Sequence, residues 1–217
     1  MTTRVLVTVP NEHWIHSTVA NTLLKLLQDG RYHVRIDLPT HRPYENNLHH
    51  IIQDVLAGDF DYWLNIDSDN APRNNPLDLV ALDKDVIGLP TPVWHYVGVP
   101  HERPIYWNAY RWDPEAAAYR EWPTRTGLQA VDAVGSGCLL VARRVLDHPM
   151  MQGGPFTRRL DEHGRVHTGA DLMFCERARL AGFSIWCHFD YPCHHCCELD
   201  LDEAVRAMWS FSGRAGS

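Results

Sequence analysis

The segment from Asp61 to Pro72 constrains the fold of this chain more than any other stretch. An aromatic and aliphatic run, Tyr62-Trp63-Leu64-Asn65-Ile66, ends abruptly in Asp67-Ser68-Asp69-Asn70. A short apolar run that stops at polar turn residues is typical of a buried β-strand. Because ligands of open α/β sheets bind outside the carboxyl ends of the strands, we expect Asp67 and Asp69 to lie where a substrate binds.

Two carboxylates this close together favour a bound cation. They repel each other, and one of them takes up a proton unless a cation is shared between them. Mn²⁺ or Mg²⁺ prefers oxygen ligands and is commonly held by one or two carboxylates together with substrate phosphates. A solvated Asp-Asn turn is the alternative. A calcium loop of the EF-hand type does not fit, because Ala71 and Pro72 stand where that loop needs Asp or Asn and then Gly.

Length and composition indicate one globular domain. The 217 residues are 45% hydrophobic and 22% charged, which is ordinary for a globular protein. We expect a single catalytic domain over residues 1–213 and a disordered tail at 214–217. No apolar run approaches the roughly 18 residues of a membrane span and no signal peptide is visible, so we expect a cytoplasmic protein.

The formal charge of −7 argues against a protein that coats nucleic acid through bulk charge. A local basic groove remains open as an alternative. Three arginine pairs are candidates for it: Arg143-Arg144, Arg158-Arg159 and Arg177/Arg179.

The N-terminal segment reads as a β-α-β unit. Residues 4–9 form a β-branched, largely apolar run. An amphipathic helix follows, capped by Ser17 or Thr18, with Val19, Leu23 and Leu27 on one face, and it stops at Gly30. Residues 33–38 form a second strand that is broken by Pro39. The unit has neither a G-x-G-x-x-G fingerprint nor a phosphate-binding P-loop pattern. It therefore predicts a parallel sheet without those two nucleotide motifs.

Further elements follow in order. Residues 48–56 show helical periodicity, with Asn46 or Asn47 as the cap and Gly58 at the end. Asn75 is expected to cap a short helix opened by Pro76. The remaining predictions are a strand at residues 85–90, a strand interrupted by Gly135-Ser136-Gly137, a loop at 153–169 that resembles a lid, a helix opened by residues 168–171 and an edge strand at 183–187.

Residues 91–123 are rich in tryptophan and tyrosine. Their alternation predicts an antiparallel, hairpin-like excursion from the main sheet. Aromatic faces bind bases and sugar rings, and packing beneath a small sheet is the alternative role.

Five of the six cysteines lie in the last fifth of the chain. Cys193-x-x-Cys196, with Cys187, His188, His194 and Cys197 nearby, allows a structural zinc site, although a second Cys-x-x-Cys is missing. Reduced thiols are the alternative, since no secretion signal is visible.

Taken together, these elements resemble the GT-A glycosyltransferases. The features that carry the resemblance are the β-α-β start, the strand into Asp67-Ser68-Asp69, the Gly-Ser-Gly strand, and the segment from Gly169 through Asp171 to Ala178. The closest group is family 2, including small stand-alone members encoded by phages. The resemblance implies an α/β, Rossmann-like fold with a mostly parallel central sheet flanked by helices.

The resemblance also implies site residues. Asp67 and Asp69 match the metal-binding Asp-x-Asp that holds the diphosphate of a nucleotide sugar, and His195, or His194 in its place, matches the histidine that completes the metal site. Asp171 matches the general base of an inverting transfer, although Ala170 stands where the family usually has Glu. The residues expected to contact the donor nucleotide are Thr8, Pro10, Asn11, Arg42, Asn47 and Ser68.

An alternative role exists for Asp171. Thr168-x-x-Asp171 is a capping-box-like string, and an acid in a first helical turn is favoured by the helix dipole. The same dipole predicts that Asp171 stays ionised at neutral pH.

We therefore expect a metal-dependent hexosyltransferase that uses a UDP- or GDP-sugar. A nucleotidyltransferase and a non-catalytic, zinc-supported module that binds nucleic acid or glycan are the alternatives. If the chain is encoded by a phage, its location is the host cytoplasm and its acceptor a hydroxymethylated base in DNA; otherwise the acceptor is a glycan.

Overall fold

The computed structural model describes residues 2–94 and 105–197. It is an α/β structure with a seven-stranded central sheet, helices on both faces and smaller antiparallel sheets beside it. The expected tail at residues 214–217, and the end of the expected domain from 198 to 213, lie outside the described residues. In the part of the chain that the structure describes, no helix has both the length and the apolar character needed to span a membrane.

The strands and helices have the following bounds: β1 Arg4–Thr8, α1 Ser17–Leu27, β2 His33–Asp37, α2 Tyr44–Ala57, β3 Tyr62–Ile66, a 3₁₀ helix at Pro76–Leu82, β4 Val86–Gly88, β5 Pro92–Trp94, β6 Ile105–Trp107, β7 Ala109–Asp113, β8 Ala118–Glu121, β9 Leu128–Val131, β10 Ala133–Val134, β11 Cys138–Ala142, α3 Arg143–Leu146, a second 3₁₀ helix at Pro149–Met151, β12 Arg159–Leu160, β13 Val166–Thr168, α4 Ala170–Leu180 and β14 Ile185–His188.

The central sheet has the strand order β2-β1-β3-β11-β4-β14-β9. Parallel pairing joins β1 to β2, β1 to β3 and β4 to β14, while β11 and β9 run in the opposite direction to their neighbours. Five of the seven strands therefore share one direction, as the sequence predicted. The carboxyl ends of β1 and β3 meet at one edge, which brings the turn after β3 beside the loop after β1.

Alternate residues of the inner strands face two separate cores. In β1, Val5 and Val7 pack against α1 and the first 3₁₀ helix, while Leu6 packs against α2. In β3, Leu64 faces the first core and the fully buried Trp63 faces the second. Strands buried on both faces read as continuous apolar runs, which is why these two strands were visible in the sequence.

Two helix boundaries differ from the prediction. Helix α1 is capped by His16, and its buried face includes Leu26, whereas the predicted Leu27 is 55% exposed. Helix α2 begins at Tyr44, earlier than the predicted caps at Asn46 or Asn47. Asn47 is instead a buried residue inside the helix.

The predicted edge strand is an interior strand. β14 pairs in parallel with β4 and antiparallel with β9, which takes the edge position. The predicted lid at 153–169 contains the antiparallel pair β12 and β13. It is tied to the helices by ion pairs from Arg158 to Glu45 and from Arg159 to Glu176.

Candidate functional site

The turn after β3 is held in place from two sides. The backbone N–H of Asp67 donates to the carbonyl of Gly137 at 2.8 Å. On the other side, the N–H of Cys196 donates to the carbonyl of Asp69 at 2.9 Å, and the N–H of His194 donates to the carbonyl of Ala71 at 2.8 Å. The segment after β14 is therefore bound along the turn, and this pairing brings His195 to the two aspartates.

His195 lies beside Asp69 and is held by a backbone carbonyl. Its Nδ1 lies 2.8 Å from the carbonyl oxygen of Pro92, and its Nε2 lies 3.5 Å from Oδ2 of Asp69. A carbonyl only accepts, so Nδ1 carries the proton and Nε2 faces Asp69. A hydrogen bond from Nε2 to the Asp69 carboxylate forms only when His195 is protonated, and it raises the pKa of His195. His195 would lose that proton before Nε2 could bind a cation. His194 is exposed and makes its described contact with Ala71 through its backbone.

Asp67 is surrounded by buried polar groups. The Tyr44 hydroxyl donates to its Oδ1 at 2.9 Å, and Nδ2 of Asn65 lies 3.2 Å from the same oxygen. Burial raises the pKa of Asp67 from 3.8 to about 7, with smaller contributions from the charges of Asp69 and Asp171. This carboxylate is therefore costly to ionise in the absence of a cation.

Ser136 connects Asp67 with Asp171. Its hydroxyl lies 3.3 Å from the Tyr44 hydroxyl, and its carbonyl accepts from Nδ2 of Asn65 at 2.8 Å. Its backbone N–H faces the Asp171 carboxylate and acts to lower the pKa of that group. The Gly-Ser-Gly segment thus brings the predicted base into the same polar network as the Asp-x-Asp turn.

Two asparagine side chains closely approach the Gly135-Ser136-Gly137 segment. A Cβ added to Gly137 would lie 2.3 Å from Nδ2 of Asn70, and one added to Gly135 would lie 2.4 Å from Nδ2 of Asn108. Glycine is required at both positions because these amides occupy the space of a side chain.

The structure separates the two roles proposed for Asp171. Helix α4 is capped by Gly169 without a side-chain hydrogen bond, so Thr168 does not form the capping box. The Asp171 Oδ1 accepts the N–H of Leu172 at 2.9 Å. Burial raises the pKa of Asp171, and the backbone N–H groups only partly offset that effect. Burial therefore outweighs the effect of the helix N-terminus on the pKa of Asp171.

A cavity of about 220 Å³ adjoins the Asp-x-Asp turn. It brings together most of the residues predicted to contact a nucleotide. Its lining consists of Pro10, Asn11, Glu12, His41, Tyr44, Asn47, Asp67, Ser68 and Asp69.

Asn47 lines this cavity and has an unpaired amide oxygen. The side chain is 2% exposed, and its Nδ2 donates to the carbonyl of Pro39 at 3.0 Å. Its Oδ1 is buried and has no hydrogen-bond partner among the described residues. A buried acceptor without a donor costs about 1–3 kcal/mol, so a ligand that carries an N–H or O–H group would relieve that cost.

Thr8 and Arg42 lie away from the cavity lining. Thr8 is buried, and its hydroxyl accepts from the Trp63 indole at 2.8 Å and donates to Oδ1 of Asn65 at 3.3 Å. It supports the network beneath the cavity and does not line it. Arg42 pairs with Glu12 at 3.2 Å and places its charge beside the cavity.

The arginine pairs do not form the basic groove that the sequence allowed. Arg143 donates to backbone carbonyls at the end of α2, and Arg144 pairs with Asp83 and Asp85. Arg158, Arg159 and Arg179 pair with Glu45, Glu176 and Asp132 respectively, and Arg177 donates to the carbonyl of Gly154. Among these arginines, all but Arg177 pair with a carboxylate of the chain, since Arg143 also pairs with Asp147.

The cysteine cluster does not assemble as a zinc site. Cys187 and Cys193 are buried, whereas Cys197 is exposed. Within residues 2–94 and 105–197, no group of three or more His, Cys, Asp or Glu side chains is placed so that it could hold a metal ion. This includes Asp67, Asp69 and His195, so a cation there would need further ligands or a rearrangement of these side chains.

Three network residues were missed by the sequence reasoning. Tyr44, Asn65 and Ser136 are all within hydrogen-bond distance of Asp67 or of one another. A signal existed for Tyr44, because a helix begun one turn earlier places it three residues before Asn47 on one face. For Asn65 the signal was a single amide inside an apolar strand.

No protein-family model matches the chain, and no curated protein sequence matches it. Solved structures do match. The structure of A197 from STIV aligns with a TM-score of 0.58 and 14% identity over 90% of this chain and 86% of that one. GalNAc-T7, solved with UDP, GalNAc and Mn²⁺, aligns with a TM-score of 0.55 and 12% identity over 92% of this chain and 44% of that one. These similarities support a GT-A-like fold for this chain.

Proposed function

We propose that this chain is a metal-dependent glycosyltransferase that moves a hexose from a UDP- or GDP-sugar to an acceptor hydroxyl with inversion. One observation carries the proposal: the Asp-x-Asp turn borders a cavity on one side and shares a polar network with Asp171 on the other. A donor in the cavity and a base across the network are the two requirements of the reaction. The GT-A-like fold is consistent with this assignment.

The cavity suits the nucleotide part of the donor. Its volume of about 220 Å³ is below the roughly 300–1,000 Å³ of typical ligand pockets, so the sugar would extend beyond it. The unpaired Oδ1 of Asn47 would accept from a base N–H or a ribose hydroxyl. Pro10 and Asn11, in the loop after β1, and Ser68 would contact the same nucleotide.

Asp67, Asp69 and His195 are the residues that would hold a divalent cation. Asp67 and Asp69 offer carboxylate oxygens, and the Nδ1–H of His195 donates to a backbone carbonyl so that Nε2 is presented as a ligand. Burial raises the pKa of Asp67 to about 7, so a cation would compete with a proton for this carboxylate at neutral pH. Bound with the donor, Mn²⁺ or Mg²⁺ would neutralise charge that develops on the leaving diphosphate.

Asp171 would act as the general base. It would take the proton from the acceptor hydroxyl as the new bond forms at the anomeric carbon and the bond from that carbon to the diphosphate oxygen breaks. The nucleoside diphosphate leaves with the bonding electrons. A base is more effective when its pKa is raised towards neutrality, and burial raises the pKa of Asp171 in that direction. A single direct displacement of this kind inverts the configuration at the anomeric carbon.

Thermal-shift measurements test the donor site. UDP, GDP, CDP and dTDP are each added with Mn²⁺ or with EDTA to the wild type, to Asp67→Asn and to Asp59→Asn. Asp59 is the matched control because its side chain is 94% exposed. A ligand that binds the native state raises its stability by mass action, so we expect UDP or GDP to raise the melting temperature with Mn²⁺ only.

The two variants show whether a nucleotide shift depends on Asp67. The metal-dependent shift should disappear in Asp67→Asn and persist in Asp59→Asn. If none of the four nucleotides stabilises the wild type in Mn²⁺, or if Asp67→Asn responds as the wild type does, the proposed donor site is wrong.

A further inference from the structure

A second cavity lies between α4 and the antiparallel sheet formed by β7, β8 and β10. It has a volume of about 360 Å³ and lies apart from the Asp-x-Asp turn. The strands contribute Trp112 and Tyr119, and the rest of the lining is Arg159, Glu176, Arg179 and Leu180. None of these residues has a role in the donor site.

The cavity presents a braced aromatic face. Trp112 is 36% exposed, and the edge of its indole contacts the Tyr119 ring at a centroid distance of 5.1 Å and an angle of 70°. The backbone N–H of Trp112 donates to Oδ2 of Asp132 at 2.7 Å. A large aromatic side chain that is already fixed loses little conformational entropy when a ligand stacks on it.

The charges around the cavity are balanced. Arg159 pairs with Glu176 at 2.7 Å, and Arg179 pairs with Asp132 at 3.2 Å. A nucleic-acid backbone is bound through excess positive charge, which two neutral pairs do not provide. Alternating donors and acceptors beside an aromatic face instead match a sugar ring, whose hydroxyls both donate and accept and whose C–H face is apolar.

A row of aromatic rings links this cavity to Asp171. The Tyr119 ring packs against Tyr110 at 6.3 Å, and Tyr110 packs against Tyr106 at 6.4 Å. Burial raises the pKa of Tyr110, and the negative charge of Asp171 raises it further. Tyr110 is therefore close enough to Asp171 for that charge to act on it. Along α4, Glu176 lies five residues from Asp171, a rise of about 7.5 Å. An acceptor reaching from Asp171 to the cavity is therefore longer than one sugar ring.

We propose that this cavity, termed the Trp112 cavity, binds a distal sugar of a neutral oligosaccharide acceptor whose reacting hydroxyl lies at Asp171. The assignment rests on the proposed glycosyltransferase function and adds the class of acceptor to it. The distal sugar stacks on Trp112, and its hydroxyls bond with Glu176, Arg159 and Arg179.

Glycan binding measured without a donor tests this inference. The probes are short neutral oligosaccharides of glucose, mannose, galactose and N-acetylglucosamine, with oligothymidylate as the polyanionic comparison. The proteins are the wild type, Trp112→Ala, Glu176→Gln and Trp14→Ala. Trp14 is the matched control because its indole is 51% exposed and it does not line the Trp112 cavity.

We expect at least one oligosaccharide to bind the wild type and Trp14→Ala equally. Loss of an aromatic anchor at the centre of a binding site typically costs tenfold or more in affinity, so Trp112→Ala should bind at least about tenfold more weakly. Glu176→Gln keeps the shape of the side chain and should weaken binding by less. The nucleotide shift described above should be unchanged in Trp112→Ala, which separates the acceptor site from the donor site.

Three results would overturn the assignment. They are binding of no oligosaccharide by the wild type, equal binding by Trp112→Ala, and preferential binding of oligothymidylate that depends on Trp112. Each can occur whether or not the nucleotide shift is observed, so failure of the acceptor assignment is distinguishable from failure of the proposed function.

Discussion

Replacing Asp67 with Asn should stabilise the metal-free protein while removing its ability to bind a cation. Tyr44 and Asn65 both donate to Oδ1 of Asp67, and an amide oxygen can accept both hydrogen bonds. The substitution therefore keeps the local hydrogen bonds and removes the buried charge. Replacing a site residue is expected to stabilise a protein when that residue destabilises the native state but is needed for function.

The size of the effect follows from the pKa of Asp67. Burial raises that pKa from 3.8 to about 7, so between these pH values the native state binds the proton more tightly than the unfolded state does. The stability of the wild type consequently falls as pH rises through this window. At about 1.4 kcal/mol per pKa unit, Asp67→Asn should be about 4 kcal/mol more stable than the wild type at pH 8. By the same linkage the difference should shrink to about 1 kcal/mol at pH 4.5.

Urea unfolding in EDTA at the two pH values measures this difference. Asp59→Asn again serves as the control, because a 94% exposed carboxylate is solvated in both states and its ion pair with Arg4 is at the surface. If Asp67→Asn is no more stable than the wild type at pH 8, or if its advantage is the same at both pH values, the buried-charge reasoning is wrong.

Three further predictions concern neighbouring residues. Tyr44→Phe removes a hydrogen bond to a charged group and should lower the free energy of unfolding in EDTA at pH 8 by about 1.5–3 kcal/mol. Asp171→Asn should lower the transfer rate by roughly 10²–10⁴-fold with the nucleotide shift intact. In the wild type the rate should fall as pH drops through the pKa of Asp171, which burial raises above 3.8. Gly137→Ala forces a methyl group to within 2.3 Å of the Asn70 amide and should destabilise the protein by about 1–3 kcal/mol. Gly30→Ala, with open space around its Cβ, should be neutral or stabilise by up to about 1 kcal/mol in the same unfolding assay.

The strands and the turn after β3 were predictable because their signals are local. The run that ends at Ile66 is buried on both faces, and Asn75 caps the first 3₁₀ helix, with its Oδ1 accepting the N–H of Leu77 at 3.0 Å as the sequence indicated. Such runs and caps depend on neighbours in sequence. The direction of most sheet strands followed from the β-α-β order for the same reason.

Other features depend on contacts that no local pattern encodes. The interior position of β14 requires β9, which is more than fifty residues earlier in the chain, to cover it. The contact between Ser136 and the Tyr44 hydroxyl joins residues 92 positions apart. The ionisation of Asp171 was predicted from its helix terminus alone, but burial by the surrounding fold outweighs that local effect.

The most direct test of glycosyl transfer is ³¹P NMR of the products formed from UDP-glucose, UDP-N-acetylglucosamine and GDP-mannose. Each donor is incubated with Mn²⁺ or EDTA, with the neutral oligosaccharides present, and with wild type or Asp171→Asn. The proposed function predicts release of UDP or GDP by the wild type in Mn²⁺, and little release by Asp171→Asn or in EDTA. Release of pyrophosphate, or turnover that continues unchanged in EDTA or in Asp171→Asn, would contradict it.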